Sequence, residues 1–119
     1  MARPTVTEIT ENYTKRPVWA EIDLDRAAEN MREIRRITGK DRLVTAVVKA
    51  DAYGHGAFML SKVFLQNGAD RLAVSSLDEG TELRRAKITA PILILGHTAG
   101  ERAEDLLDFF LPRCGNVFS

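Results

Sequence analysis

A chain of 119 residues, 45% hydrophobic and 29% charged, suffices for one small domain with a core but not for two. Its 17 Lys and Arg balance 17 Asp and Glu, so it lacks the basic excess that a nucleic-acid partner requires. A single cysteine, Cys114, excludes an intrachain disulfide, and no run approaches the about 20 apolar residues of a membrane span, so the expectation is a cytoplasmic protein.

Residues 1–16 are polar, contain no secretory signal, and read as a flexible N-terminal arm. From Val18 to Leu24 the side chains alternate, with Ala20, Ile22 and Leu24 on one face and Glu21 and Asp23 on the other. That is the period of a half-buried strand. Asp25 is placed to cap a helix in which Ala27, Met31, Ile34 and Ile37 recur at helical spacing until Gly39 stops it. Arg32, Arg35 and Arg36 stand beside Glu29 and Glu33 on that helix and read as a solvated face.

Leu43 to Val48 is nearly all apolar and rich in β-branched residues, as expected of a strand covered on both faces. Residues 51–56 read as a loop, and Ala57 to Asn67 as a helix closed by Gly68. A strand follows at 71–75, then a helix near 79–87 capped by Asp78. Pro91 precedes another buried strand, Ile92 to Leu95, and a helix is expected near 101–110. Val117 and Phe118 open a further strand. Such alternation predicts a parallel sheet with helical crossovers. An open doubly wound sheet and part of a (β/α)8 barrel both satisfy it.

A lysine is out of place at the end of a buried apolar strand. Lys49 either reaches solvent there, its stem covering apolar surface, or stands at the C-terminal sheet edge where α/β folds put their chemistry. Partial desolvation favours the neutral form of an amine, and a neutral amine is what a carbonyl-bearing cofactor needs to form a Schiff base. Beyond it, Gly54 and Gly56 let the backbone turn tightly, and the Tyr53 phenol is placed to donate to a phosphate. His55 reads either as a structural residue or as a support behind a residue of the site. With Cys114 and the distant His97 it makes no zinc site, so no metal is expected.

The run Val47-Val48-Lys49-Ala50-Asp51-Ala52-Tyr53-Gly54-His55-Gly56 resembles the pyridoxal phosphate attachment motif of the alanine racemase family. The resemblance continues through Trp19-Ala20-Glu21-Ile22-Asp23-Leu24-Asp25, Gly68 to Val74, Leu77-Asp78-Glu79-Gly80 and Ala90-Pro91-Ile92-Leu93-Ile94-Leu95-Gly96. It runs in family order over residues 17–119.

The resemblance implies a fold of the fold-type III pyridoxal-phosphate enzymes, about half of a TIM-like (β/α)8 barrel. It implies pyridoxal 5'-phosphate as cofactor, held by Lys49, with Lys49 also one of two catalytic bases. It further implies Tyr53 at the cofactor phosphate and Leu95 beside the ring. The activity implied is interconversion of L-alanine and D-alanine, the latter for peptidoglycan, by a full-length homodimer. In the family the second base is a tyrosine of a C-terminal β-domain, which this chain lacks. A complete barrel typically takes about 250 residues. Residues 17–119 are therefore expected to form an incomplete barrel domain, incompetent alone. The chain is read as a fragment or a truncated gene product. A non-catalytic cofactor-binding remnant and a racemase of another small amino acid are the alternative readings, with an unrelated open-sheet phosphate-binding protein as a third.

Overall fold

The computed structural model describes residues 19–110. The expected arm, Cys114 and the strand at Val117 and Phe118 lie outside the described residues.

In chain order the elements are α1 (Leu24–Thr38), β1 (Thr45–Val47), α2 (Lys49–Tyr53), α3 (Ala57–Gln66), β2 (Arg71–Val74), α4 (Leu77–Arg85) and β3 (Ile92–Ile94). A 3₁₀ turn (Gly100–Arg102) then leads into α5 (Ala103–Phe110). The three strands are parallel and lie side by side in chain order, β1-β2-β3. Their register aligns Ala46 with Leu72 and Ile92, and Val47 with Ala73 and Leu93.

Alternate rows of this sheet meet different surroundings. Ala46, Val48, Leu72, Val74 and Ile92 are buried, and share one core with Met31 of α1, Leu60 of α3, Leu77 and Leu83 of α4, and Phe109 of α5. Burial of each large aliphatic side chain there contributes roughly 1.5–3 kcal/mol. On the opposite face Val47 is 43% and Leu93 54% exposed, with only Ala73 buried between them. The helices thus cover one face of the sheet. A doubly wound sheet carries helices on both faces and reverses its strand order. Sequential strands with one-sided helices are the winding of a (β/α) barrel, and this chain forms an arc of one.

That arc corrects several expectations. Leu43 to Val48 and Ile92 to Leu95 are covered on one face only, because among the described residues the helices pack against the same face of the three strands. Residues 19–23 form no strand. A strand requires a hydrogen-bonding neighbour, and the described sheet begins at β1. Asp23, not Asp25, caps α1, its carboxylate accepting the N–H groups of Asp25 at 3.0 Å and Arg26 at 3.2 Å. Ser76, not Asp78, caps α4, and Asp78 instead pairs with Arg102 at 2.9 Å.

The arginine face of α1 is also only partly solvated. Arg36 pairs with Glu33, but Arg35 turns inward and donates to the carbonyls of Gly68, Gly39 and Arg42 and to the Asp70 carboxylate. Arg32 donates to the Asn67 side chain at 2.6 Å. Charge composition cannot distinguish such a latch from a wet helix face.

Candidate active site

The site forms where β1 ends. Val48 donates its N–H to the Ala73 carbonyl at 2.9 Å, Leu95 to Val74 at 2.8 Å, and Gly96 to Ser75 at 3.0 Å, so parallel pairing continues past the strand ends. Two residues beyond the row Val47, Ala73 and Leu93, the register brings Lys49, Ser75 and Leu95 to a common C-terminal rim. Lys49 is half-buried; Leu95 is 53% exposed.

The chain after Lys49 is not a loop of the expected kind. Ala50, Asp51, Ala52 and Tyr53 take φ values of 51°, 54°, 54° and 55°, one turn of left-handed helix that Gly54 leaves at φ 85°. An L-residue pays roughly 1–2 kcal/mol for that conformation, so it persists only where the surroundings over-determine it. Here they do. Ala52 donates to the Val48 carbonyl at 2.9 Å, Gly54 to Ala50 at 3.0 Å, and Gly56 to Asp51 at 2.9 Å. The Asp51 carboxylate accepts the Ala57 N–H at 2.8 Å, which ties the turn to the first residue of α3. The Ala52 methyl is buried in the core. His55 Nδ1 lies 2.9 Å from the Ala52 carbonyl, consistent with its structural reading.

The turn brings Tyr53 back over Lys49, with Lys49 Nζ 5.9 Å from the ring centroid. Tyr53 itself is 64% exposed. Lys49 and Tyr53 are thus brought together by local geometry, while Leu95 joins them on the rim across β2. Gly54 and Gly56 announce a tight turn; nothing at Ala50, Ala52 or Tyr53 announces its hand.

One member of the site escaped the sequence reading. Glu79, in the first turn of α4, accepts the N–H of Ala50 at 2.6 Å through Oε2. Through Oε1 it accepts the Ser75 N–H at 2.7 Å and the Ser75 hydroxyl. Burial acts to raise its pKa, but the bonds from Ser75, Ala50 and Ser76 outweigh it and hold the carboxyl below the usual value. The legible signal was the capping box, Ser76 and Glu79 three residues apart.

The rim is an open edge. A separate hollow of about 620 Å³, lined by Asp78, Arg85, Arg102, Asp105 and Phe109 among others, lies between α4 and α5, away from Lys49. It is charged, and Arg102 is paired within it with both Asp78 and Asp105.

Residues 22–111 match the family model described as the alanine racemase N-terminal domain. The chain belongs to the alanine racemase family. The matched segment contains Lys49, Tyr53, Glu79 and Leu95, hence the whole rim. The alanine racemase of Clostridium perfringens SM101 is 57% identical over 93 residues, covering 78% of this chain and 24% of that protein. The solved alanine racemase of Clostridium difficile is 44% identical with a TM-score of 0.72, over 76% of this chain and 24% of that one. That of Bacillus anthracis with bound L-Ala-P is 45% identical with a TM-score of 0.68, over 73% and 24%. The chain therefore spans about a quarter of the length of the alanine racemases it matches. Among the described residues no helix is long and apolar enough to cross a membrane.

Proposed function

We propose that this chain supplies the lysine side of a pyridoxal phosphate-dependent amino-acid racemase whose substrate is alanine. The observation that carries the reading is the turn after β1, which sets a primary amine and a phenol 5.9 Å apart, Nζ to ring centroid, on the rim of a parallel sheet. The donor set fits the cofactor. An accessible amine can bond its carbonyl carbon, and a phenol can donate to its phosphate. When bound, the cofactor's conjugated ring spreads the negative charge left by loss of an α-proton.

The residues then divide the work. Lys49 Nζ holds the cofactor and moves the α-proton on the face of the D-enantiomer. Tyr53 donates its hydroxyl hydrogen to the phosphate and anchors the far end. Leu95 packs against the ring from the β3 side and excludes water there. Direct inversion needs a base on each face of the substrate, and Lys49 serves one. The other is proposed to come from a further domain of a partner subunit in a homodimer, so residues 1–119 alone are expected not to racemise alanine.

The test is to load the full-length protein with pyridoxal phosphate, reduce with borohydride and map the labelled peptide. Label on the peptide containing Lys49 is the expected result. Label at Lys62 or Lys87 instead, or none, would falsify the reading. Lys49→Arg abolishes the label, because a guanidinium stays protonated and cannot attack the carbonyl.

A further inference from the structure

Glu79 is the residue through which the helix after β2 reaches the segment after β1. Its two carboxylate oxygens are divided between them. Oε1 takes the N–H groups of Ser75 at 2.7 Å and Ser76 at 3.3 Å, together with the Ser75 hydroxyl. A capping box needs no more than that oxygen. Oε2 crosses to the neighbouring strand–helix unit and accepts the Ala50 N–H at 2.6 Å.

Ala50 is the first of four consecutive L-residues in left-handed conformation, and it directly follows Lys49. The turn's remaining backbone bonds close on the turn itself or on its flanks, as from Ala52 to Val48 and from Gly54 to Ala50. They set its hand but not its orientation to the sheet. The Glu79 bond ties it to β2 and α4, at the peptide where the lysine leaves the strand.

We propose that Glu79 is a positioning residue for Lys49, its carboxylate clamping the peptide after the lysine and so setting the direction in which Lys49 leaves β1. The inference rests on Lys49 being the cofactor lysine, since only then does its aim affect rate. A misplacement of about 1 Å at a reacting group can cost ~10²-fold.

A carboxylate suits the task because both oxygens accept, whereas an amide offers one acceptor and one donor. In Glu79→Gln the amide oxygen stays with the several donors of Ser75 and Ser76, and the NH₂ group faces the Ala50 N–H. Ser76→Ala is the matched control. It removes the hydroxyl that accepts the Glu79 N–H at 3.3 Å, weakening the same helix start while leaving the Ala50 bond in place.

In the full-length protein, Glu79→Gln is expected to speed amide exchange at Ala50 by about tenfold or more, as loss of a bond to a charged acceptor implies. It should also slow covalent capture of pyridoxal phosphate, followed by absorbance, and lower kcat by about 10–100-fold with KM little changed. Ser76→Ala should lower the melting temperature and leave all three readouts at the parent values. If Glu79→Gln does not fold, Glu79→Asp replaces it, being one methylene too short to reach both segments. A Glu79 variant that loses only thermal stability, as Ser76→Ala does, overturns the proposal. Should the parent protein capture no cofactor at Lys49, the cofactor reading fails separately. Exchange at Ala50 then decides the clamp alone, and an unchanged rate in the Glu79 variant overturns it.

Discussion

Lys49 Nζ lies 5.9 Å from the centre of the Tyr53 ring, and one left-handed turn between the two residues makes the approach. A left-handed helix, like its mirror image, returns residue i+4 to the side of residue i. A ligand held at the lysine nitrogen is therefore offered a phenol by the same short segment.

That offer can be tested by removing the hydroxyl alone. Tyr53→Phe keeps the ring near Lys49 and deletes one hydrogen bond to a charged phosphate, worth about 1.5–3 kcal/mol. The dissociation constant of pyridoxal phosphate from the full-length protein should rise by tens-fold or somewhat more, read by absorbance titration. An unaltered constant would make Tyr53 a packing residue.

Gly96 closes the rim beside Leu95, and here space rather than φ demands glycine. A Cβ at Gly96 would come within 2.3 Å of the Ser75 carbonyl oxygen, which also accepts the Gly96 N–H at 3.0 Å. A backbone atom in a paired strand edge cannot swing away as a side-chain tip can. Gly96→Ala is expected to destabilise the protein by about 1–3 kcal/mol, measured as a fall in the urea midpoint. Gly100→Ala, where an added Cβ meets nothing within 4 Å, should be close to neutral. Equal midpoints for the two variants would remove the steric argument.

Asp70 predicts a pH dependence. The Val44 N–H, then the Arg35 guanidinium, stabilise its charged form and hold its carboxyl below the ordinary 3.8. A carboxylate more acidic in the folded state than in the unfolded one adds stability that is complete above the unfolded value. That contribution is lost as pH falls from about 3.8 through the lowered folded value. Stability of the parent should thus drop more steeply than that of Asp70→Asn in acid, with urea midpoints followed downward from pH 5. Parallel slopes would show that Asp70 gains nothing from Val44 and Arg35.

The sequence by itself determined the local and periodic features of this protein. Runs such as Thr45–Val47 and Ile92–Ile94, separated by amphipathic helices, announce parallel strands, because burial of a strand demands apolar side chains wherever the chain runs. Lys49 at a strand end, followed by Gly54, marks the site, and the motif around it marks the family. What depends on distant residues was decided only by tertiary structure. The exposure of Val47 and Leu93 on the sheet face opposite the helices chose the barrel arc over the doubly wound sheet, since hydrophobic residues do not record which partner covers them. Arg35 became a latch because the carbonyl of Gly68 lies across from it, a neighbour that charge patterning along one helix cannot reveal. The left-handed run at Ala50, Asp51, Ala52 and Tyr53 contradicts the preference of those residues. Only the assembled surroundings hold it: the buried Ala52 methyl, the Asp51 bond to α3 and the Glu79 bond arriving from the next strand–helix unit.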